Sequence, residues 1–183
     1  EYVCLGVFGP KSRELMKEIS NDDFSNENFK FGCSKSVSIE NKDIWVQRLS
    51  YVGEIGYELY IKFNEAKLIF DKIINIGKKY NLSLCGAHAM DILRMESGFL
   101  HWGHDISPEE NQLEAGLKFA ISFKKNFDFL GKDALLKINQ EKIKKKFLML
   151  TLDNAKPGEP LSLHFEPIYI DGKICGNTTS ANY

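Results

Sequence analysis

SVSIENKDIWVQRLSYVGEIGYELYIKF, residues 36–63, carries the pattern that decides the fold. At its end Tyr57, Leu59, Ile61 and Phe63 alternate with Glu58, Tyr60 and Lys62, the period of a strand with one buried face. Before that, SVSIE and IWVQRLSY flank NKD at a spacing suited to a hairpin, so three antiparallel strands are predicted. Asn64 stands where it could cap the following helix, EAKLIFDKIINIG. Ala66, Ile69, Phe70, Ile73 and Ile74 share a face of that helix, and Gly77 offers a left-handed stop. Upstream, YVCLGVFG is apolar on both faces and reads as a buried strand. Gly9-Pro10 then opens a helix whose stripe is Leu15, Met16 and Ile19.

Downstream, a helix over AHAMDILRMES ends at Gly98, which leaves FLHWGHD beyond it. GLKFAISF, the lysine-rich EKIKKKF, FLMLTLD and EPIYIDGKICG follow, the last with Asp171-Gly172 as a two-residue hairpin signal. This β-rich tail begins a second module near residue 145. Antiparallel strands with segregated helices define an α+β class rather than a doubly wound parallel sheet.

The chain has 24 basic and 25 acidic residues, so no global field draws it to nucleic acid or acidic lipid. No apolar run reaches the roughly 18 residues of a membrane span, and EYVCLGVFGPKSREL has no signal-peptide start, so a soluble chain is expected. Cys4, Cys33, Cys85 and Cys175 stand far apart without a C-x-x-C pair, as reduced structural thiols of a reducing compartment would. The bacterial cytoplasm fits, as does the mitochondrial matrix for a eukaryotic chain.

Among candidate site residues, His101 and His104 in HWGHD suit metal binding poorly. A strand would turn them to opposite faces, and Gly103 weakens a helix there. A turn with packed histidines is the plain reading, and it leaves Trp102 unexplained. Glu58 lies opposite Leu59 after a double-glycine turn. It is either a solvent-facing strand residue or an acceptor for a ligand with two adjacent N–H donors. Arg94 is one of three arginines among 21 lysines. Its planar fork has a use at a ligand, or it pairs with Asp91 at i,i+3 as a surface contact. EKIKKKF reads as a solvated face, Gly131-Lys132 lacks phosphate-loop spacing, and no dinucleotide or hydrolase motif occurs. Cys85 has only His88 near it in sequence, a poor setting for a nucleophile.

YVGEIGYELYI, AMDILRMESGFLHWGHDISPEENQLEAGL and DFLGKDALL, in that order, resemble the tetrahydrofolate-binding, aminomethyltransferase-type domain. That domain is shared by the glycine-cleavage T-protein and the C-terminal parts of sarcosine and dimethylglycine dehydrogenases. HWGHD followed by LEAGL looks like the dehydrogenase branch, since the T-protein usually has a tyrosine and an uncharged side chain where Trp102 and His104 stand. The resemblance implies that Glu58 is the pterin-binding glutamate and that Arg94 lies against the folate. Tyr51 and Trp102 match aromatic positions lining the pocket, so the HWGHD turn would deliver an aromatic wall.

The resemblance also implies a partial folate-binding domain over residues 1–140 and the start of a C-terminal β-barrel over 141–183. The reaction implied is capture of a one-carbon unit, released by oxidative N-demethylation of a small methylated amine, as methylene-tetrahydrofolate. FAD would belong to a separate upstream domain of the same chain, and the family's essential aspartate to a segment before Glu1. The chain is therefore expected to be an incomplete part of the enzyme, inactive alone and a weak folate binder at most. The T-protein of the glycine cleavage system, a non-catalytic folate-binding module and a purely structural piece remain alternatives. The accessory modules' KGCYxGQE-type motif is missing, YVGE standing at residues 51–54.

Overall fold

The alternation over residues 36–63 becomes one antiparallel sheet. Strands β1 (Tyr2–Phe8), β2 (Ser34–Ile39), β3 (Lys42–Gln47) and β4 (Gly56–Lys62) lie in the order β1-β4-β3-β2. Helices α1 (Ser12–Ile19) and α2 (Phe63–Gly77) cover one face, and α3 (Ala87–Glu96) follows. The computed structural model describes residues 1–140 and 143–182. The chain divides into two compact units, Glu1–Phe99 and Leu100–Tyr183.

In the first unit Tyr57, Leu59 and Ile61 of β4 enter the core with Ile44 and Val46 of β3 and Val37 and Ile39 of β2. Leu15, Met16 and Ile19 of α1 and Ile69 and Ile73 of α2 close over them, as the helical stripes predict. Phe24 and Phe29, from the α1–β2 connection, fill the remaining space, with Phe24 edge-on to Tyr57 at 5.4 Å between ring centroids. The β2–β3 hairpin turns at Glu40 and Asn41, both left-handed, one position earlier than the NKD reading.

Three sequence expectations change here. β1 is an edge strand, paired with β4 alone, and Tyr2 is 67% exposed. An apolar run cannot distinguish a central strand from an edge strand whose outer face is also apolar. α2 begins at Phe63, so Asn64 lies inside the helix and no side chain caps it. Gly77 keeps a right-handed φ of −59°, and the chain turns left-handed only at Asn81 after a 3-10 turn over Lys78–Tyr80. Gly77 is needed for space instead, because a Cβ there would lie 2.6 Å from the Leu82 side chain. The four cysteines are free thiols, and they are exposed rather than packed as structural thiols would be.

α3 stops as its sequence predicts. Gly98 is left-handed, its N–H donates to Met95 O at 2.9 Å, and the Phe99 N–H donates to Arg94 O at 2.8 Å, a Schellman ending.

The second unit contains helix α4 (Lys132–Gln140) and a hairpin of β5 (Pro167–Ile170) and β6 (Lys173–Asn177). Asp171 and Gly172 are both left-handed, as the two-residue turn requires. Residues 147–153, FLMLTLD, form no strand, so β5–β6 is the regular sheet among the described residues of this unit. Glu141 and Lys142 of EKIKKKF, where the barrel was expected to start, lie outside the described residues. Among the described residues no helix is long and apolar enough to cross a membrane.

Candidate functional site

β4 sends its odd-numbered side chains into the core, so Glu58 and Tyr60 project from the opposite face of the sheet. Register fixes their neighbours: Glu58 lies between Gly6 of β1 and Gln47 of β3, and Tyr60 between Cys4 and Trp45. Glu58 is half-buried, and its Oε2 accepts a 2.8 Å hydrogen bond from the Tyr60 hydroxyl. That bond holds the phenolic proton, and with some desolvation it pushes the Tyr60 pKa up to about 12. Desolvation, followed by the Glu58 charge, raises the Cys4 thiol, so Cys4 is no activated nucleophile. Tyr2, Trp45, Gln47 and Tyr60 line an open recess of about 540 Å³ on this face.

Tyr51 and Arg94 meet at a residue the sequence reading did not select, Phe99. The Tyr51 and Phe99 rings are nearly parallel, 14° apart in plane with centroids 6.2 Å apart. The Arg94 Nη1 donates to Phe99 O at 3.2 Å. Arg94 is only 1% exposed, and its Nε and Nη2 both reach Asp91 Oδ1 at 2.7 Å. The i,i+3 pairing with Asp91 is therefore real, and it joins a half-exposed carboxylate to a buried guanidinium at the C-terminal end of α3. The loop bearing Tyr51 is fastened from two sides. Ile55 O accepts from the Gly9 N–H at 2.9 Å and the Ser12 hydroxyl at 3.1 Å, while Gly53 packs against Ser97.

In the second unit HWGHD is a turn. The Asp105 N–H donates to His101 O at 2.8 Å and the Gly103 N–H to Ile106 O at 2.8 Å, with Gly103 left-handed. Trp102, presented by this turn, is 66% exposed. The His104 ring stacks on His164 at 4.3 Å and lies 5.6 Å from His101. Asp105, unremarked in the sequence, is the buried anchor. Its carboxylate accepts from the His101 N–H at 2.9 Å and from the Thr179 and Ser180 hydroxyls at 2.6 Å each. Sequence offered no signal for that role, because both hydroxyl partners are more than 70 residues away. For Tyr60 a signal existed: it is the next residue after Glu58 on the same strand face.

A half-buried carboxylate on a flat sheet face can accept two N–H donors from a planar ligand, and Tyr51 on Phe99 supplies an aromatic surface of matching shape. Among the described residues every pairing between named strands is antiparallel.

Comparison with known proteins identifies the family. The family model described as GCVT N-terminal domain matches residues 1–125. The chain is 40% identical to 4-methylaminobutanoate oxidase (formaldehyde-forming) of Paenarthrobacter nicotinovorans, over 98% of the chain and 21% of that protein. It is 36% identical to human mitochondrial dimethylglycine dehydrogenase, over 100% of the chain and 21% of that protein. Among solved structures, the glycine cleavage system aminomethyltransferase T of Bartonella henselae superposes with a TM-score of 0.64 at 26% identity, covering 76% of this chain and 37% of that one. The chain thus spans about a fifth of the curated relatives named here.

Proposed function

The chain belongs to the GCVT domain family, and from that premise we propose that it is the folate-binding part of an enzyme that demethylates a small N-methylated amine. Glu58 carries the reading: a carboxylate raised on the non-core face of β4, oriented by one phenol and flanked by Gly6 and Gln47. In this reading Glu58 accepts the paired N–H donors of the pterin. Tyr51, backed by Phe99, packs against the ring, and Arg94, whose guanidinium also holds the Phe99 carbonyl, lies against the folate as the resemblance implies. The resemblance assigns Trp102 to an aromatic position in folate binding. The folate supplies the nitrogen nucleophile that takes up the one-carbon unit, and the protein's part is to hold the pterin and exclude water.

FAD and amine oxidation are assigned to a separate upstream domain of the same protein, and the family's essential aspartate to a further segment of the folate-binding domain. The barrel expected over residues 141–183 belongs to the same proposal. Cytoplasm in a bacterium, or the mitochondrial matrix in a eukaryote, is the compartment that suits this chemistry. The structural likeness to aminomethyltransferase T supports a second reading, transfer from a carrier-bound aminomethyl group without a flavin.

The test is calorimetric titration of the full-length protein with tetrahydrofolate. Glu58→Gln should weaken binding at least tenfold, the scale of a charge-assisted hydrogen bond lost in a partly dry site, with the unfolding temperature unchanged. Unaltered affinity would remove Glu58 from the site. A flavin spectrum in the full-length protein decides for the demethylating enzyme, and its absence favours the aminomethyltransferase. The 183-residue chain alone is expected to turn over no amine and to bind folate weakly or not at all; micromolar or tighter affinity would contradict that.

A further inference from the structure

We propose that Tyr60 is a positioning residue that sets which oxygen of Glu58 meets the ligand; the inference rests on Glu58 being the folate carboxylate. The Tyr60 hydroxyl donates to Glu58 Oε2 at 2.8 Å, and both side chains rise from the same face of β4, two residues apart. An unrestrained glutamate on an open sheet face rotates about three side-chain torsions, and a ligand must freeze all of them. Tyr60 does part of that in advance. Its ring has two torsions and is set between the Cys4 and Trp45 positions of the neighbouring strands. The ring also forms one wall of the recess with Tyr2, Trp45 and Gln47.

The bond has a direction. It occupies one lone-pair region of Oε2 on the Tyr60 side, which leaves Oε1 and the outward region of Oε2 for incoming donors. A ligand with two adjacent N–H groups then finds two acceptors already aligned, while a ligand with a single donor gains little from the alignment. Gly6, opposite Glu58, has no side chain to compete for the carboxylate; the Phe8 ring takes the space a Cβ would need, which lies 2.4 Å from it. Glu58 is therefore held from the Tyr60 side.

A double-mutant cycle on tetrahydrofolate affinity in the full-length protein tests this, using Tyr60→Phe, Glu58→Gln and the double variant. Tyr60→Phe removes one oxygen and keeps the ring, so the fold should survive, and melting temperature checks that it does. About a tenfold loss of affinity is expected for Tyr60→Phe in the wild-type background, and essentially none once Glu58 is already glutamine. Equal losses in both backgrounds overturn the proposal, because Tyr60 would then act without Glu58. Wild-type affinity in Tyr60→Phe alongside weak binding in Glu58→Gln overturns it while leaving the folate reading intact. Full affinity in Glu58→Gln overturns both.

Tyrosinate absorbance during alkaline titration of the 183-residue chain gives a second readout that needs no folate. A tyrosine titrating well above the ordinary phenol value should be lost in Tyr60→Phe and shift down toward that value in Glu58→Gln. An alkaline limb unchanged by both variants overturns the pairing itself.

Discussion

Consecutive residues of β4 divide two tasks. Glu58 faces the candidate site, and Tyr57 before it is fully buried against Phe24 and Phe29. The Tyr57 hydroxyl has no hydrogen-bond partner among the described residues. A buried hydroxyl without a partner forfeits its hydration, whereas a phenylalanine of the same shape keeps all the aromatic packing. Tyr57→Phe should therefore stabilise the protein by about 1 kcal/mol, raising the midpoint of urea unfolding with no change in slope. Because residue 57 points away from Glu58, folate affinity should not move. A destabilised variant would show that the hydroxyl finds a partner after all, such as a buried water.

The elements show what makes the loop bearing Tyr51 rigid and which parts of it were legible. Gly53 is left-handed, with φ of 77°, and a Cβ there would lie 2.0 Å from the Ser97 hydroxyl oxygen. Gly53→Ala adds backbone strain to a collision with the end of α3, so it should cost roughly 1–3 kcal/mol and displace the Tyr51 ring from Phe99. Loss of thermal stability together with a changed near-ultraviolet circular dichroism spectrum would register both effects; an unchanged spectrum would mean that the loop absorbs the methyl group. Alternation was enough to find β4 and the β2–β3 hairpin, since a one-residue slip would expose the whole apolar set. Gly98 was legible because a left-handed ending can be read from one residue. Gly77 misled because its smallness serves the approach of Leu82, a contact that local pattern does not contain. Arg94 was selected for its chemistry, yet its burial and its bond to the Phe99 carbonyl depend on how α3 ends. Tyr60 was visible as a strand residue, but its hydrogen bond to Glu58 needed coordinates.

At the scale of the whole molecule, apolar burial is concentrated in one unit. Every member of the main core cluster lies between Val7 and Ile73, and among the described residues the buried hydrophobics of the second unit are Leu113 and Ala115. Phe119, Leu130, Leu148, Met149, Leu150, Leu152 and Leu163 are all exposed. Protection against opening scales with the apolar surface that opening releases, so the two units should differ in local stability. Hydrogen exchange of the 183-residue chain should show amides of β3, β4 and α2 exchanging slowest, through global unfolding. Residues 118–138 and 143–163 should exchange orders of magnitude faster, with intermediate protection at 101–106 where Asp105 ties the turn to Thr179 and Ser180. Asp105→Ala removes the acceptor of three bonds and should erase that protection while leaving the β4 amides as slow as before. Equal protection across both units would show that the second is stabilised as strongly as the sheet. That result would separate folding stability from apolar burial in this chain and leave the polar anchor at Asp105 to account for the difference.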